Sequence, residues 1–218
     1  MTPYYEDDSV TIYHGDCRTI LPTIQFDVIV TDPPYGISDV TDSLRPFQDT
    51  SDTPAFDVIT GDDSTDLAEW LLNNYGDQPL CIFGANHFPF ALPHAGRWLC
   101  WDKRVVESAD KMLGSPFELA WMSGPDSAGV MYRIQHGGVV NADGGNVKRV
   151  HPTQKPVTLM KRLIQDHYPE GLILDPFMGS GTTLRAAKDL GRKAIGIEVE
   201  QRYCEVAVER LAQGVLKL

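Results

Sequence analysis

The sequence predicts one α/β domain with a mostly parallel sheet. Three observations carry that expectation. Seven short apolar runs have the length of buried strands, helix-period patterns alternate with them, and 218 residues with 42% hydrophobic content suit a single core.

The elements follow in chain order. Val10, Thr11, Ile12 and Tyr13 form the first run, and Gly15-Asp16-Cys17 comes after it. The second run, 27–31, leads into Asp32, and the third, 80–83, ends at Gly84. Runs 98–101, 118–121, 172–174 and 194–197 complete the set. Leu67, Trp70, Leu71 and Tyr75 recur at helical spacing, with Asp63 or Ser64 placed to cap and Gly76 to stop that helix. Val157, Met160, Leu163 and Ile164 mark a second helix that opens after Pro156. A third is marked by Leu184, Ala187 and Leu190, with Gly191 as its stop, and a fourth by Tyr203, Ala207 and Leu211. Two stretches break the alternation. Residues 36–63, rich in Asp, Ser and Thr, read as a long mobile loop. Residues 124–150 are rich in glycine and read as a short irregular insertion carrying Arg133, Lys148 and Arg149. These three side chains are candidates for touching phosphates; a solvated loop explains them equally well.

Bulk properties narrow the function classes. A net charge of −11 argues against a protein that simply coats nucleic acid. A DNA enzyme with its basic residues gathered on one face stays open. Cys17, Cys81, Cys100 and Cys204 are scattered with no CxxC pair, so neither a disulfide framework nor a metal site is expected, and a reduced cytoplasm fits. No apolar run approaches the roughly 18 residues that span a bilayer, so no membrane partner is expected.

The chemistry gathers at strand ends, where open α/β sheets bind ligands. Asp175-Pro176-Phe177-Met178-Gly179-Ser180-Gly181-Thr182-Thr183 follows one apolar run and opens a helix. Its glycines permit a sharp turn and close backbone approach to a ligand. The lysine of a phosphate loop is missing, and Leu184 stands where a dinucleotide fingerprint has its third glycine, so a pyrophosphate is disfavoured. Glu198 ends the next strand, a place where acids hold ribose hydroxyls, although a plain surface glutamate also fits. Together the turn and the acid suggest a nucleoside without a pyrophosphate, a description S-adenosylmethionine meets. The third motif is Asp32-Pro33-Pro34-Tyr35. Its two prolines fix the backbone and leave their carbonyls free as acceptors, between an acid and an aromatic.

Asp32-Pro33-Pro34-Tyr35 together with 175–181 resembles the DNA amino-methyltransferases, which modify adenine N6 or cytosine N4. The tetrapeptide precedes the glycine motif, as in the circularly permuted β class. His151-Pro152-Thr153-Gln154-Lys155-Pro156 and Gly15-Asp16-Cys17 also match the family's pattern, so the likeness spans residues 10 to 210. It implies a Rossmann-like, S-adenosylmethionine-dependent methyltransferase fold, circularly permuted, with a seven-stranded sheet and helices on both faces. It also implies a stand-alone enzyme of phage or orphan type, acting in a bacterial or host cytoplasm. Relatives are often dimers, which makes a homodimer an expectation by analogy.

By the same resemblance, Asp32 and the Pro33 carbonyl accept the two hydrogens of the target amine. Its lone pair then attacks the sulfonium methyl in line, giving S-adenosylhomocysteine, with no metal. Pro34 completes the catalytic turn and Tyr35 stacks on a flipped base. Asp16 would bond the cofactor's adenine, with the Cys17 amide beside it. Glu198 would hold the ribose. Asp175, Phe177, Gly179, Ser180 and Gly181 would shape the methionine pocket, with Thr153 and Lys155 as candidates for its carboxylate. The aspartate at 32 favours adenine; the cytosine branch more often has serine there. The short 124–150 insertion implies a short recognition site or relaxed specificity. Cytosine N4, an RNA or protein-amide target, and a catalytically silent nucleotide-binding module remain the rivals.

Overall fold

Alternate residues of the central strands face opposite sides of the sheet, and both sides are buried. In the computed structural model, which describes residues 1–36, 63–104, 115–136 and 154–212, Val28, Val30, Cys81 and Phe83 join one core cluster. Ile29, Leu80 and Ile82 join the other. A strand apolar on every residue needs a cover on each face, which is the signature of a parallel sheet with flanking helices. The strands are β1 (Tyr5–Glu6), β2 (Val10–His14), β3 (Val28–Thr31), β4 (Leu80–Phe83), β5 (Gly96–Asp102), β6 (Phe117–Ser123), β7 (Val130–Arg133), β8 (Ile173–Asp175) and β9 (Ala194–Glu198). The helices are α1 (Cys17–Ile20), α2 (Asp66–Tyr75), α3 (Val157–His167), α4 (Thr182–Asp189) and α5 (Gln201–Ala212). Leu159 and Leu163 of α3, Leu184 of α4 and Ala207 of α5 cover the first face, while Ile20 of α1 and Leu71 of α2 cover the second.

The sheet order is β1-β2-β9-β8-β3-β4-β6-β5-β7. Strands β2, β9, β8, β3 and β4 are parallel, and β6 pairs antiparallel to both β4 and β5. All seven expected runs are strands. Two more flank them, β1 antiparallel to β2 and β7 parallel to β5. Residues 124–150 are therefore not irregular throughout, because Val130–Arg133 adds a ladder to β5. Arg133 lies on that edge strand, 3.7 Å from Asp102. The four expected helices are present. Thr65 rather than Asp63 or Ser64 precedes α2, with the Ser64 hydroxyl accepting from the Asp66 N–H at 3.3 Å. Most of the loop expected over 36–63, and Lys148, Arg149 and Thr153, lie outside the described residues. Among the described residues no helix is long and apolar enough to cross a membrane.

Topology places the ligand cleft. From β3 the chain moves outward to β4, whereas from β8 it moves the opposite way to β9. Adjacent parallel strands whose connections diverge leave a crevice at their carboxyl ends. Asp32 and the 175–181 turn stand on its two sides.

Candidate functional site

The crevice is a pocket of about 380 Å³, open mouth included. Its lining includes Asp32, Gln154, Lys155, Asp175, Phe177 and Gly179. Across it, the buried Thr31 hydroxyl at the end of β3 donates to Asp175 Oδ1 at 2.7 Å, and the Phe177 N–H donates to the same oxygen at 3.2 Å. Burial pushes the Asp175 carboxyl up to about 6; Thr183, Thr31 and the Phe177 amide pull it down, and neighbouring Asp32 adds to the rise.

The glycine turn is held from below by an acid. Glu198 is buried, and its carboxylate accepts the Gly179 N–H at 2.9 Å and the Glu200 N–H at 2.8 Å. Burial outweighs those bonds and lifts its carboxyl to about 7. The surface-glutamate reading thus fails, because the side chain ends a central strand inside the fold. Gly181 begins α4 with φ +77°, and a Cβ there would lie 2.8 Å from the Ala207 Cβ, so α5 packs where a side chain would stand. Residues that small let the turn lie flat under a ligand. Ser180 is buried in the same turn.

The Gly15-Asp16-Cys17 turn lies alongside. His14 is in register with Glu198, and the Gly15 N–H donates to the Glu198 carbonyl at 2.8 Å. Asp16 caps α1, accepting from the Arg18 N–H at 2.8 Å, and the Arg18 guanidinium bridges it at 2.6 Å, which holds its carboxyl below the usual range. Cys17 is a buried thiol, pushed by burial up to about 12.

At the other end, Tyr35 stacks on His87 with ring centroids 4.8 Å apart and planes 11° from parallel. Gly84, at φ +68°, makes room for it, since a Cβ there would come within 2.6 Å of the Tyr35 ring. Lys155 is buried before α3. Its Nζ lies 2.5 Å from Asp32 Oδ2, 3.2 Å from Glu118 Oε2 and 5.2 Å from the centre of the Phe83 ring. Lys103 Nζ is 2.9 Å from the other Glu118 oxygen. Burial alone would lower the Lys155 ammonium, but Asp32 and Glu118 more than reverse that and hold it well above its ordinary value. Burial would raise Glu118, yet Lys155 and Lys103 bring it down to about 2.

The structure therefore brings Asp32, Lys155, Asp175, Phe177, Gly179 and Ser180 into one pocket lining, with Glu198 and Gly181 supporting its glycine turn, Tyr35 on the loop after Asp32, and Asp16 and Cys17 at the turn after β2. Sequence reasoning missed Thr31, Glu118 and Lys103. The one signal for Glu118 was a charge opening an otherwise apolar run.

The residues fit S-adenosylmethionine. Asp32 and Asp175 line the pocket, Glu198 holds its glycine turn, and among the described residues the one ammonium in the lining is shared with Glu118. Such a surplus of carboxylate repels a phosphate and suits a ligand carrying a sulfonium and an amino group.

Comparisons agree. A family model described as DNA methylase matches residues 105–209. The type II methyltransferase M2.LlaDCHI of Lactococcus lactis subsp. cremoris is 30% identical over 97% of this chain and 93% of its own length. The type II methyltransferase M.HinfI of Haemophilus influenzae is 49% identical over 30% of this chain, a match spanning 19% of that enzyme. Among solved structures, a complex of M1.HpyAVI with S-adenosylmethionine aligns at TM-score 0.56 and 25% identity, covering 93% of this chain and 99% of that one. The cytosine-N4-specific PvuII DNA methyltransferase shares the fold at TM-score 0.61 and 14% identity, over 99% of this chain and 90% of that one. The chain belongs to the S-adenosylmethionine-dependent DNA amino-methyltransferases, the family of adenine-N6 and cytosine-N4 methylases.

Proposed function

We propose that this chain methylates adenine N6 in DNA, on a base turned out of the duplex. The supporting observation is the Asp32 carboxylate at the carboxyl end of β3, lining the same pocket as the Asp175–Gly179 turn. S-adenosylmethionine, when bound, supplies an electrophilic methyl group. The chain's own residues do the rest by position. An exocyclic amine is a weak nucleophile because its lone pair is conjugated with the ring. Asp32 and the Pro33 carbonyl accept its two hydrogens, favouring a tetrahedral nitrogen whose lone pair is available, and one of the two protons leaves the nitrogen after the methyl is transferred. Tyr35 offers a face for the base, backed by His87. Stacking of this kind contributes about 1–3 kcal/mol per base, which offsets much of the few kcal/mol needed to unstack it. Asp175, Phe177 and the glycine turn shape the donor's methionine end; Asp16 and Glu198 serve its nucleoside.

The test is incubation with labelled S-adenosylmethionine and unmethylated DNA, then nucleoside mass spectrometry. N6-methyladenine supports the reading, and N4-methylcytosine overturns the choice of base. Asp32→Ala should retain donor binding and lose transfer; surviving transfer refutes the role given to Asp32. A methylation map of treated DNA should show a short or relaxed site, and a single long one overturns that expectation.

A further inference from the structure

We propose that Lys155 is a positioning residue for Asp32: its ammonium, seated between the Asp32 and Glu118 carboxylates, keeps Asp32 ionised and aimed as an acceptor, instead of gripping the donor's carboxylate. This rests on the reading that Asp32 accepts hydrogens from a target amine.

The geometry supplies the first argument. A lysine serving a ligand carboxylate should aim its charge at open pocket. Here Nζ is 2.5 Å from Asp32 and 3.2 Å from Glu118, with the Phe83 ring beneath it at 5.2 Å. Two of its three N–H donors are thereby engaged. Lys103 binds the far oxygen of Glu118 at 2.9 Å, so Glu118 is itself anchored and centres the ammonium rather than drawing it away. Pro156 follows Lys155 and fixes the backbone at the start of α3, where its carbonyl accepts the Met160 N–H at 3.3 Å. The charge is thus delivered from a stiff element.

Protonation points the same way. Among the described residues, the charged or titratable groups near Asp32 and its ammonium include Lys155 and Glu118 from beyond the cleft, with Lys103 behind Glu118, Asp175 across it, and Tyr35 on Asp32's own loop. The Asp32 side chain is only 16% exposed, and Asp175 repels its charge. Burial and a neighbouring acid favour the protonated form of a carboxyl, and an ammonium at hydrogen-bond distance favours the ionised one. A protonated carboxyl turns one oxygen into a donor and keeps only a weaker, neutral acceptor, which serves the amine less well than a carboxylate. The nearby ammonium prevents that.

The experiment measures kcat at saturating donor and DNA, KM for S-adenosylmethionine, and the pH profile of kcat for wild type, Lys155→Met and Lys155→Arg. Loss of the charge should move the acid limb of kcat to higher pH by about 1–3 units, the effect of removing an opposite charge at this range. KM for the donor should stay within about threefold, and arginine should restore the limb in part, because it keeps the charge. A rise in donor KM of about tenfold or more with an unmoved acid limb overturns the proposal and returns Lys155 to the donor's carboxylate. Should Lys155→Met fail to fold, Glu118→Gln is the second variant. It should lower kcat several-fold by loosening the ammonium and leave donor KM unchanged; an effect confined to KM overturns the proposal. If wild type transfers no methyl to any DNA amine, the underlying reading fails, a result separate from these.

Discussion

Glu198→Gln should remove much of the pH dependence of folding stability in the ligand-free protein. The Glu198 residue is 8% exposed, with one oxygen on the Gly179 N–H and the other on the Glu200 N–H. Even so, burial raises its carboxyl from 4.5 to about 7, a difference worth about 3 kcal/mol. Below the unfolded value both states carry the proton and nothing is lost. Between that value and 7 the unfolded chain releases its proton first, so stability falls as pH rises; above 7 the penalty is complete. Glutamine carries no charge, and its amide can serve one of the two backbone donors, so it forfeits about 1 kcal/mol at every pH. Asp175 is raised for the same reason, but it is present in both proteins and cancels. Urea denaturation of both at about pH 4 and about pH 8 should show wild type losing about 3 kcal/mol more than the variant. In thermal melts of a chain this size the difference is about 6–12 °C. Parallel losses in the two proteins would refute the claim that Glu198 is strained when ionised.

Other perturbations test the remaining parts of the cleft. Thr31→Val keeps the shape but removes the hydroxyl that donates to Asp175 at 2.7 Å; it should cost about 1–3 kcal/mol in urea denaturation. Gly84→Ala places a Cβ against the Tyr35 ring at φ +68°. Strain of about 1–3 kcal/mol should appear as lost stability, together with slower transfer and unchanged donor binding. Tyr35→Ala should lower kcat/KM for DNA about five- to 150-fold, the equivalent of one stacked base, whereas Tyr35→Phe should stay near wild type. A tyrosine role in donor binding would instead appear in isothermal titration with S-adenosylmethionine.

Central strands were legible because they are apolar runs up to their carboxyl ends. Val28-Ile29-Val30 and Leu80-Cys81-Ile82-Phe83 are buried on both faces, and that pattern survives without tertiary information. Edges were not legible. Strand β7 exposes half of Met131 and places Arg133 at its end, so its four residues look like loop. Strand β1 is two residues long and exists only through its partner, Ile12 opposite Tyr5. Helix α1 has four residues, too few for a period to show. In the site, the glycine turn and Asp32 were readable because their backbones dictate unusual residues. The Lys103–Glu118–Lys155–Asp32 chain was hidden, since its members come from four separate segments and nothing local marks one as another's neighbour. Burial of Glu198 was hidden for the same reason.

The strand order has a consequence for biosynthesis. Strands β8 and β9, from the last quarter of the described chain, lie between β2 and β3, from the first. A growing polypeptide that has reached β7 therefore holds two sheet pieces with a gap two strands wide, each with a bare, apolar ladder facing it. The gap closes only when residues about 144 positions apart, Thr31 and Asp175, come together. Such high contact order makes closure the slow event of folding. The same event brings Asp32 beside the glycine turn, so a stalled or shortened chain carries no half-built cleft, and competence arrives all at once with the final strands.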